Sequence, residues 1–424
     1  MSPAWNTPVL PAAAAALALA LAACAGGARL PPPPPQTFSA AEIQKGAELA
    51  KLADCQGCHT ADGGQAFAGG RPLNSPFGTI YTRNITPDPR TGLGRYSREA
   101  FIRALRRGVR FDGAELYPAM PYDHFAYADD EDLGALYAYL MTRRPKDQPP
   151  TPNKLIPPAN IRGAVAIWKA LFFHPGRFQP TPGRSAAFNR GAYLVQSLGH
   201  CGACHTPHNF LDAEETSKPL QGGVQEGWYA PPLNALSPAS VPWTPEHVYS
   251  FLRTGFDRDH SAAAGPMGSV VRELARAPEA DVRALSVYLA TLMQPSPAAK
   301  GAARPADHVA QAAAAQPAGA RLYAGACAAC HDAGAAMMRE GRPPLQFATP
   351  PQEDRPTDVV QVILHGLQPA TGPRGPYMPA FAGTLSDAQV ADVAAYVRAR
   401  YSDRPPWKDL ASAVAKARRQ GGEG

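Results

Sequence analysis

Apolar positions recur at helical spacing in three separate regions of the chain, and each region shows the same order of helices. A helix containing a Gly-Ala dipeptide comes first, a helix ending in glycine follows, and an amphipathic helix carrying a tyrosine closes the region. The marker residues, region by region, are Gly46, Gly108 and Tyr139, then Gly191, Gly255 and Tyr288, then Gly319, Gly366 and Tyr396. Glycine allows close backbone approach, so we expect the first and closing helices to cross at these glycines.

Polar residues that favour helix N-termini precede the predicted helices. Ser97, Thr244 and Thr357 stand where the three glycine-terminated helices should begin. Ser386 and Gln389 have the spacing of a capping box before the last amphipathic helix. The pattern predicts an all-α chain of short helices.

Proline and alanine are concentrated between the three regions and define the expected boundaries. We expect a signal or lipoprotein segment (1–24), a proline-rich spacer (25–39), a first domain (40–144) and a linker (145–186). A second domain (187–294), a second linker (295–317), a third domain (318–402) and a tail (403–424) follow. The first linker contains the apolar run 164–173, for which two interpretations stay open: packing between domains, or docking of a partner subunit.

The N-terminus has the features of an export signal. Its first 28 residues carry no charged side chain, and Val9 to Ala23 is almost entirely Ala, Leu and Val. The segment LAAC ending at Cys24 resembles a lipoprotein processing box, which predicts lipidation of Cys24. Cleavage at the small residues around Cys24 and an uncleaved anchor are the alternatives. Each places the rest of the chain outside the cytoplasm, and the first predicts a lipid anchor at the periplasmic face of the bacterial inner membrane.

The formal net charge of +6 is modest for 424 residues, and no basic run is interleaved with aromatic residues. Nucleic acid is therefore not an expected partner.

Three copies of the motif CxxCH carry the chemistry of the chain. They comprise Cys55, Cys58 and His59, then Cys201, Cys204 and His205, then Cys327, Cys330 and His331. Two thiols at this spacing can reach both vinyl groups of one porphyrin, while the adjacent imidazole binds the iron. Six of the seven cysteines are used in this way, which leaves only Cys24. The motif predicts three covalently bound haems c, and a zinc or redox-cysteine site is the weaker alternative.

A methionine stands 12 residues after the helix-ending glycine in all three regions: Met120, Met267 and Met378. All three lie beside proline, so we expect non-helical loops that hold each thioether over the porphyrin. Histidine and methionine together favour reduced iron. In the third domain, His365 is a rival for the distal position.

These residues resemble the three-haem cytochrome c subunits of membrane-bound bacterial dehydrogenases. The most specific segments are NITPD (84–88), LYPAMPY (116–122), GHCGACHTPHN (199–209), EGWYAPPLN (226–234) and AAAGPM (262–267). The resemblance implies three tandem class I cytochrome c domains joined by proline- and alanine-rich linkers. It also implies a relay of electrons from a flavin, molybdenum or quinoprotein dehydrogenase subunit to ubiquinone or a terminal oxidase.

The expected function is therefore electron transfer without a substrate site in this chain. Two alternatives stay open. One is a haem peroxidase or oxidase with an open iron, for which the domain of His331 is the candidate because its histidine-to-methionine spacing is shortest. The other is a freestanding electron shuttle.

Overall fold

A computed structural model describes residues 36–294, 306–335, 345–372 and 375–421, and these residues are mostly helical. The expected signal segment, Cys24 and most of the proline-rich spacer lie outside the described residues, as do residues 295–305 at the start of the second linker.

The chain divides into two compact units. The first contains Cys58–Phe178 together with the described part of Met1–Leu49, and the second contains Ala50–Gly57 and Gln179–Gly424. The regions of the second and third motifs therefore share one compact unit.

In chain order, the helices of the first half are α1 (Ala40–Leu52), α2 (Cys55–Cys58), α3 (Arg98–Arg107), α4 (Tyr122–Phe125), α5 (Asp130–Met141) and α6 (Arg162–Phe172). An antiparallel sheet accompanies them, with strand order β1 (Pro72–Ser75), β2 (Gly78–Tyr81) and β3 (Lys154–Leu155). Leu73 is paired with Ile80, and Thr79 with Lys154.

The second half begins with helices α7 (Ala186–Gln196), α8 (Gly202–His205), α9 (Pro245–Thr254), α10 (Met267–Leu274) and α11 (Glu279–Leu292). It continues with α12 (Val309–Ala315), α13 (Pro317–Ala326), α14 (Ala328–His331), α15 (Thr357–His365), α16 (Asp387–Tyr401) and α17 (Leu410–Gly421). Two antiparallel hairpins lie between these helices: β4 (Gly223–Gln225) with β5 (Trp228–Ala230), and β6 (Phe256–Asp257) with β7 (Ser261–Ala262).

The expectation of an all-α fold is thus corrected to a mostly helical fold with small sheets. Each strand has only two to four residues. Runs this short hold one or two alternations of apolar and polar side chains, which is too little for a strand period to be recognised.

The predicted helix crossings are confirmed in all three regions. A Cβ atom built on Gly46 would lie 1.9 Å from the carbonyl oxygen of Ala135, on α5. A Cβ atom built on Gly191 would lie 2.0 Å from the carbonyl oxygen of Ala284, on α11. A Cβ atom built on Gly319 would lie 2.1 Å from the carbonyl oxygen of Asp392, on α16. No side chain fits at such distances, so glycine is required where the helices cross.

The predicted helix ends are mostly confirmed. The side chains of Ser97 and Thr244 accept hydrogen bonds from backbone N–H groups in the first turns of α3 and α9. Ser386 and Gln389 form the complete capping box of α16. The prediction for Thr357 is wrong by one position, because Pro356 precedes α15 and Thr357 is already its first helical residue.

The apolar run of the first linker forms helix α6, which belongs to the first unit. Val165 is buried there, the Lys169 ammonium pairs with the Glu115 carboxylate, and the ring of Phe173 meets that of Tyr122 edge to face at 5.3 Å. The opposite side exposes Ile167 and Leu171. One side of the helix therefore packs on the first unit and the other stays open to solvent.

In the part of the chain that the structure describes, no helix combines the length and apolarity needed to cross a bilayer.

Candidate haem sites

Each CxxCH motif lies on or beside a one-turn helix that directly follows a glycine-bearing helix. These short helices are α2, α8 and α14, which follow α1, α7 and α13. Residues three apart on a helical turn project to the same side, so both cysteine side chains of a motif can address one porphyrin edge.

Among the described residues, none of the six motif cysteines is part of a disulfide bond. Burial raises the pKa of Cys201 to about 12, and burial together with the neighbouring Cys330 thiol raises the pKa of Cys327 to about 11. Redox-active CxxC pairs need a thiol with a lowered pKa, because the thiolate is the nucleophile. The environments of Cys201 and Cys327 therefore oppose a redox-disulfide interpretation.

The first two motif histidines are oriented by backbone carbonyl groups. His59 Nδ1 lies 2.6 Å from the carbonyl oxygen of Arg83, and His205 Nδ1 lies 2.6 Å from that of Pro231. A carbonyl can only accept, so Nδ1 carries the proton in both rings and Nε2 keeps its lone pair. This is the tautomer and orientation that a metal-binding imidazole requires.

Burial lowers the pKa of both imidazoles, against the smaller opposing effect of the carbonyl hydrogen bond. Burial likewise lowers the pKa of His331, which the Asp332 carboxylate partly offsets. All three rings are therefore held neutral, as iron ligands must be. For His331 no carbonyl partner is found within the described residues, and the segment 336–344 lies outside them.

One cavity of about 450 Å³ in the second unit is lined by both the second and the third motif. Its walls are mainly apolar and aromatic. They include Cys201, Cys204, His205 and Met267 from one region, and Cys327, Cys330, His331 and Met378 from the other. A largely apolar enclosure next to paired thiols and a neutral imidazole fits a porphyrin.

The three methionines occupy different backbone settings. Met120 lies in a turn, where its N–H donates to the carbonyl of Tyr117 at 3.0 Å. Met378 pairs with Leu367 through two backbone hydrogen bonds of 2.9 and 3.1 Å. Met267 is the first residue of α10, so the prediction of a non-helical position is wrong there. The proline before it is compatible with a helix start, because a helix N-terminus needs no donor from that residue.

The rival ligand His365 does not line the cavity that contains His331 and Met378, within the described residues. It sits in the last turn of α15, and its Nε2 is buried without a hydrogen-bond partner there. Met378 therefore shares a cavity with His331, whereas His365 does not line it.

Two carboxyl groups in the cavity wall, the buried Glu353 and the half-buried Asp358, were missed by the sequence. Glu353 is 2% exposed, its Oε2 has no hydrogen-bond partner among the described residues, and burial raises its pKa well above the usual range. Burial also raises the pKa of Asp358 to about 7, although the backbone N–H of Tyr229 donates to it at 2.9 Å. A buried acid leaves no periodic signal, because its burial depends on the surrounding fold.

Hydrogen bonds join the regions of the second and third motifs. Besides the bond from Tyr229 to Asp358, the Gln361 amide donates to the carbonyl of Gly227 at 2.9 Å. The Thr371 hydroxyl donates to the carbonyl of Thr254 at 2.8 Å. The two parts of the shared cavity are thus fixed to each other.

The carbonyl groups of Arg83 and Pro231 were also missed. A backbone carbonyl is common to every residue, so side-chain type gives no indication of this role.

Two protein-family models match the chain. The model described as cytochrome c matches residues 43–144, and the model described as cytochrome C oxidase, cbb3-type, subunit III matches residues 314–397. The matched ranges contain the first and third motifs.

Curated relatives extend the similarity over most of the sequence. The cytochrome c subunit of alcohol dehydrogenase (quinone) from Gluconacetobacter polyoxogenes is 39% identical, over 90% of this chain and 85% of the relative. The fructose dehydrogenase cytochrome subunit from Gluconobacter japonicus is 37% identical, over 85% of this chain and 79% of the relative.

A nicotinate dehydrogenase subunit from Pseudomonas putida is 47% identical over 90% of this chain. The match covers only 32% of that relative, so the present chain spans about a third of its length.

Proposed function

The chain belongs to the family of cytochrome c subunits of dehydrogenase complexes, and on this basis we propose that it is a three-haem relay that receives electrons from a partner dehydrogenase. It passes them on to ubiquinone or a terminal oxidase. The chain itself has no substrate site in this proposal.

The proposed architecture is three tandem class I cytochrome c domains at 40–144, 187–294 and 318–402. The repeated crossing of a glycine-bearing first helix with a closing helix supports this division. The two family-model matches fall on the first and third of these domains.

The residues proposed to hold the haems are those of the three motifs. The paired thiols would attach each porphyrin through thioether bonds, and Nε2 of His59, His205 and His331 would bind iron from one side. When bound, haem supplies a one-electron couple between ferric and ferrous iron. The carbonyl hydrogen bonds at His59 and His205 fix the ring orientation and increase the basicity of the ligand.

Met120, Met267 and Met378 are the proposed ligands on the opposite side. Met267 and Met378 line the same cavity as His205 and His331, respectively, which supports the pairing in the second and third domains. A thioether in the sixth position excludes oxygen and peroxide from the iron. The proposal for Met120 rests on its equal distance of 12 residues from Gly108.

The observation that carries the relay is the single cavity shared by the second and third motifs. Porphyrins held by Cys201 and Cys204 and by Cys327 and Cys330 would be neighbours in one apolar space. An isolated binding function would not require adjacent redox centres, whereas stepwise electron transfer does. The hydrogen bonds between the two regions would keep the distance between these centres constant.

The proposed partner is a dehydrogenase catalytic subunit of the flavin, molybdenum or quinoprotein type. Similar cytochrome subunits are named for alcohol, fructose and gluconate dehydrogenases. The proposed location is the periplasmic face of the inner membrane, with attachment through a lipid on Cys24.

Purification from native membranes tests the relay. We expect a dehydrogenase catalytic subunit to co-purify, and addition of its substrate to reduce the haems of the complex. The isolated chain should remain oxidised with the same substrate, and reduction of the isolated chain would contradict the absence of a substrate site.

A further inference from the structure

His247, Asp257 and His260 form a cluster at the edge of the second haem site: His260 also lines the cavity, whereas His247 and Asp257 do not. His247 lies in the first turn of α9, and its backbone N–H donates to the capping hydroxyl of Thr244. Asp257 and His260 belong to the short hairpin of β6 and β7. A capped helix and a hairpin thus hold the three side chains on ordered backbone.

The distances suit a metal centre. His260 Nε2 lies 3.3 Å from His247 Nδ1, and one ligand atom of each of the three residues lies within 4.8 Å of the others. Two nitrogen ligands about 2.0 to 2.1 Å from a tetrahedral metal ion are separated by roughly 3.3 Å. The nitrogen pair already has this separation.

The Asp257 carboxylate lacks a compensating cation. It is 2% exposed, and among the described residues no Lys or Arg forms an ion pair with it. Its hydrogen bonds come from the Asp259 N–H at 3.0 Å and from the Ser250 side chain. Buried carboxylates are normally paired with a cation or bound to a metal.

The His260 imidazole is buried in a fixed position. His260 is 1% exposed and stacks on Trp243 with ring centroids 3.5 Å apart. His260 Nδ1 has no partner among the described residues.

The Asp259 carboxylate stands behind His247, with Oδ2 3.7 Å from Nε2. A carboxylate on the far side of a ligating imidazole is the usual outer partner in zinc sites. The His247 side chain is 26% exposed, so an ion can enter from solvent on this side.

The cytochrome scaffold does not require these residues. The positions of His247, Asp257 and His260 relative to Gly255 can be compared with the same positions relative to Gly108 and Gly366. In the first region they hold Ala100, Arg110 and Gly113. In the third region they hold Asp358, Gln368 and Thr371. Only the second region carries two histidines and a carboxylate there.

We propose that His247, Asp257 and His260 bind a divalent transition-metal ion of the Zn²⁺ class, with a water molecule in the fourth position. Two imidazoles and one carboxylate are a donor set that such ions prefer. The ion would fasten α9 to the hairpin that leads to Met267, which makes this a structural site within the second domain.

Zn²⁺ binding to the tag-free, full-length holoprotein tests the site. The holoprotein is used because its motif cysteines no longer offer free thiols. After treatment with a chelator, calorimetric titration with ZnCl₂ should show one saturable site, and saturation should raise the melting temperature. X-ray absorption at the zinc edge should show nitrogen and oxygen ligands only.

Asp257→Asn and His247→Gln should each weaken Zn²⁺ binding and remove the increase in melting temperature. Asp259→Asn should weaken binding about 10- to 100-fold, as expected for an outer partner. His174→Gln, which changes an exposed histidine of the first unit, is the control and should bind like the unaltered protein.

An unchanged haem spectrum of each variant shows that its domain is folded. If Asp257→Asn does not fold, His247→Gln alone tests the loss of Zn²⁺ binding. Absence of saturable binding by the unaltered protein overturns the proposal. The proposal is also overturned if Asp257→Asn and His247→Gln each still bind one equivalent of Zn²⁺ as the unaltered protein does.

Discussion

Gly191 and Tyr288 meet at backbone distance: a Cβ atom on Gly191 would lie 2.7 Å from the Cβ atom of Tyr288. Tyr288 is held from the other side by Phe188, whose ring meets it edge to face at 5.1 Å. Its hydroxyl accepts a hydrogen bond from the Gln196 amide at 3.0 Å. These contacts hold the tyrosine in place. The close crossing of α7 with α11 therefore depends on the absence of a side chain at residue 191.

Gly191→Ala should destabilise the second unit by about 1–3 kcal/mol or more, because the helices must separate to admit a methyl group. The measurement is the free energy of unfolding by denaturant. Gly163→Ala is the matched control, since Gly163 also lies in a helix but its added Cβ would meet no atom within 4 Å. The control should be stabilising by roughly 0.5–1 kcal/mol, and equal effects of the two changes would disprove the packing argument.

Three covalent haems are expected in the mature protein, one for each CxxCH motif. Intact mass after acid denaturation should show three haem additions, because thioether bonds survive the loss of the fold. Replacing both cysteines of one motif, for example Cys201→Ala with Cys204→Ala, should remove one addition. Two or fewer haems on the unaltered chain, made with a competent maturation system, would contradict this prediction.

Substitution of Met120, Met267 or Met378 by leucine should open one iron to carbon monoxide and shift one reduction potential. Leucine keeps the volume of methionine but has no sulfur lone pair. Met141→Leu, at the end of α5, is the control and should leave all three potentials unchanged. A methionine whose replacement changes no haem spectrum is not a ligand.

Asp358 should make stability fall as pH rises. Its folded pKa of about 7 lies above the ordinary value of 3.8, so its contribution is complete below about pH 4 and is lost as pH rises through 7. Asp358→Asn keeps an acceptor for the Tyr229 N–H but cannot ionise. The variant should be more stable than the unaltered protein at pH 8, by up to about 4 kcal/mol, and similar at pH 4.

Unfolding free energies at the two pH values give the measurement for Asp358. Asp62→Asn, at an exposed carboxyl group, should follow the unaltered protein at both. An Asp358→Asn variant that loses as much stability as the unaltered protein between pH 4 and pH 8 would show that Asp358 does not titrate in this range.

Cys24→Ser should move the chain from the membrane fraction to the soluble periplasmic fraction when the partner subunit is absent. The reason is that the hydroxyl cannot be lipidated in place of the thiol. Mass spectrometry of the N-terminal peptide should show lipid on the unaltered chain. An unmodified peptide together with unchanged fractionation would rule out lipid attachment at Cys24.

Much of the chemistry followed from the sequence. The CxxCH spacing is a local property, because both thiols and the imidazole lie within five consecutive residues whatever the fold around them. The crossing glycines, the caps at Ser97 and Thr244 and the capping box at Ser386 are local in the same sense. Their physical requirements concern backbone groups a few residues away, or the absence of a side chain.

The sequence could not supply relationships between distant segments. The short strands are defined by their pairing with other segments of the chain. The start of α10 at Met267 was likewise not evident from the proline beside it. The carbonyl groups that orient His59 and His205 come from residues 24 and 26 positions away. Backbone carbonyls carry no side-chain signature.

The sequence by itself thus determined which residues we propose to hold the haems, since covalent attachment and iron binding depend on residue type and close spacing. Only the tertiary structure decided that the second and third motifs line one cavity, that Asp358 accepts a hydrogen bond from the Tyr229 N–H, and that His247 meets His260. Burial and charge proximity arise when remote segments pack together, and these two quantities set the ionisation of a carboxyl group and the geometry of a metal site.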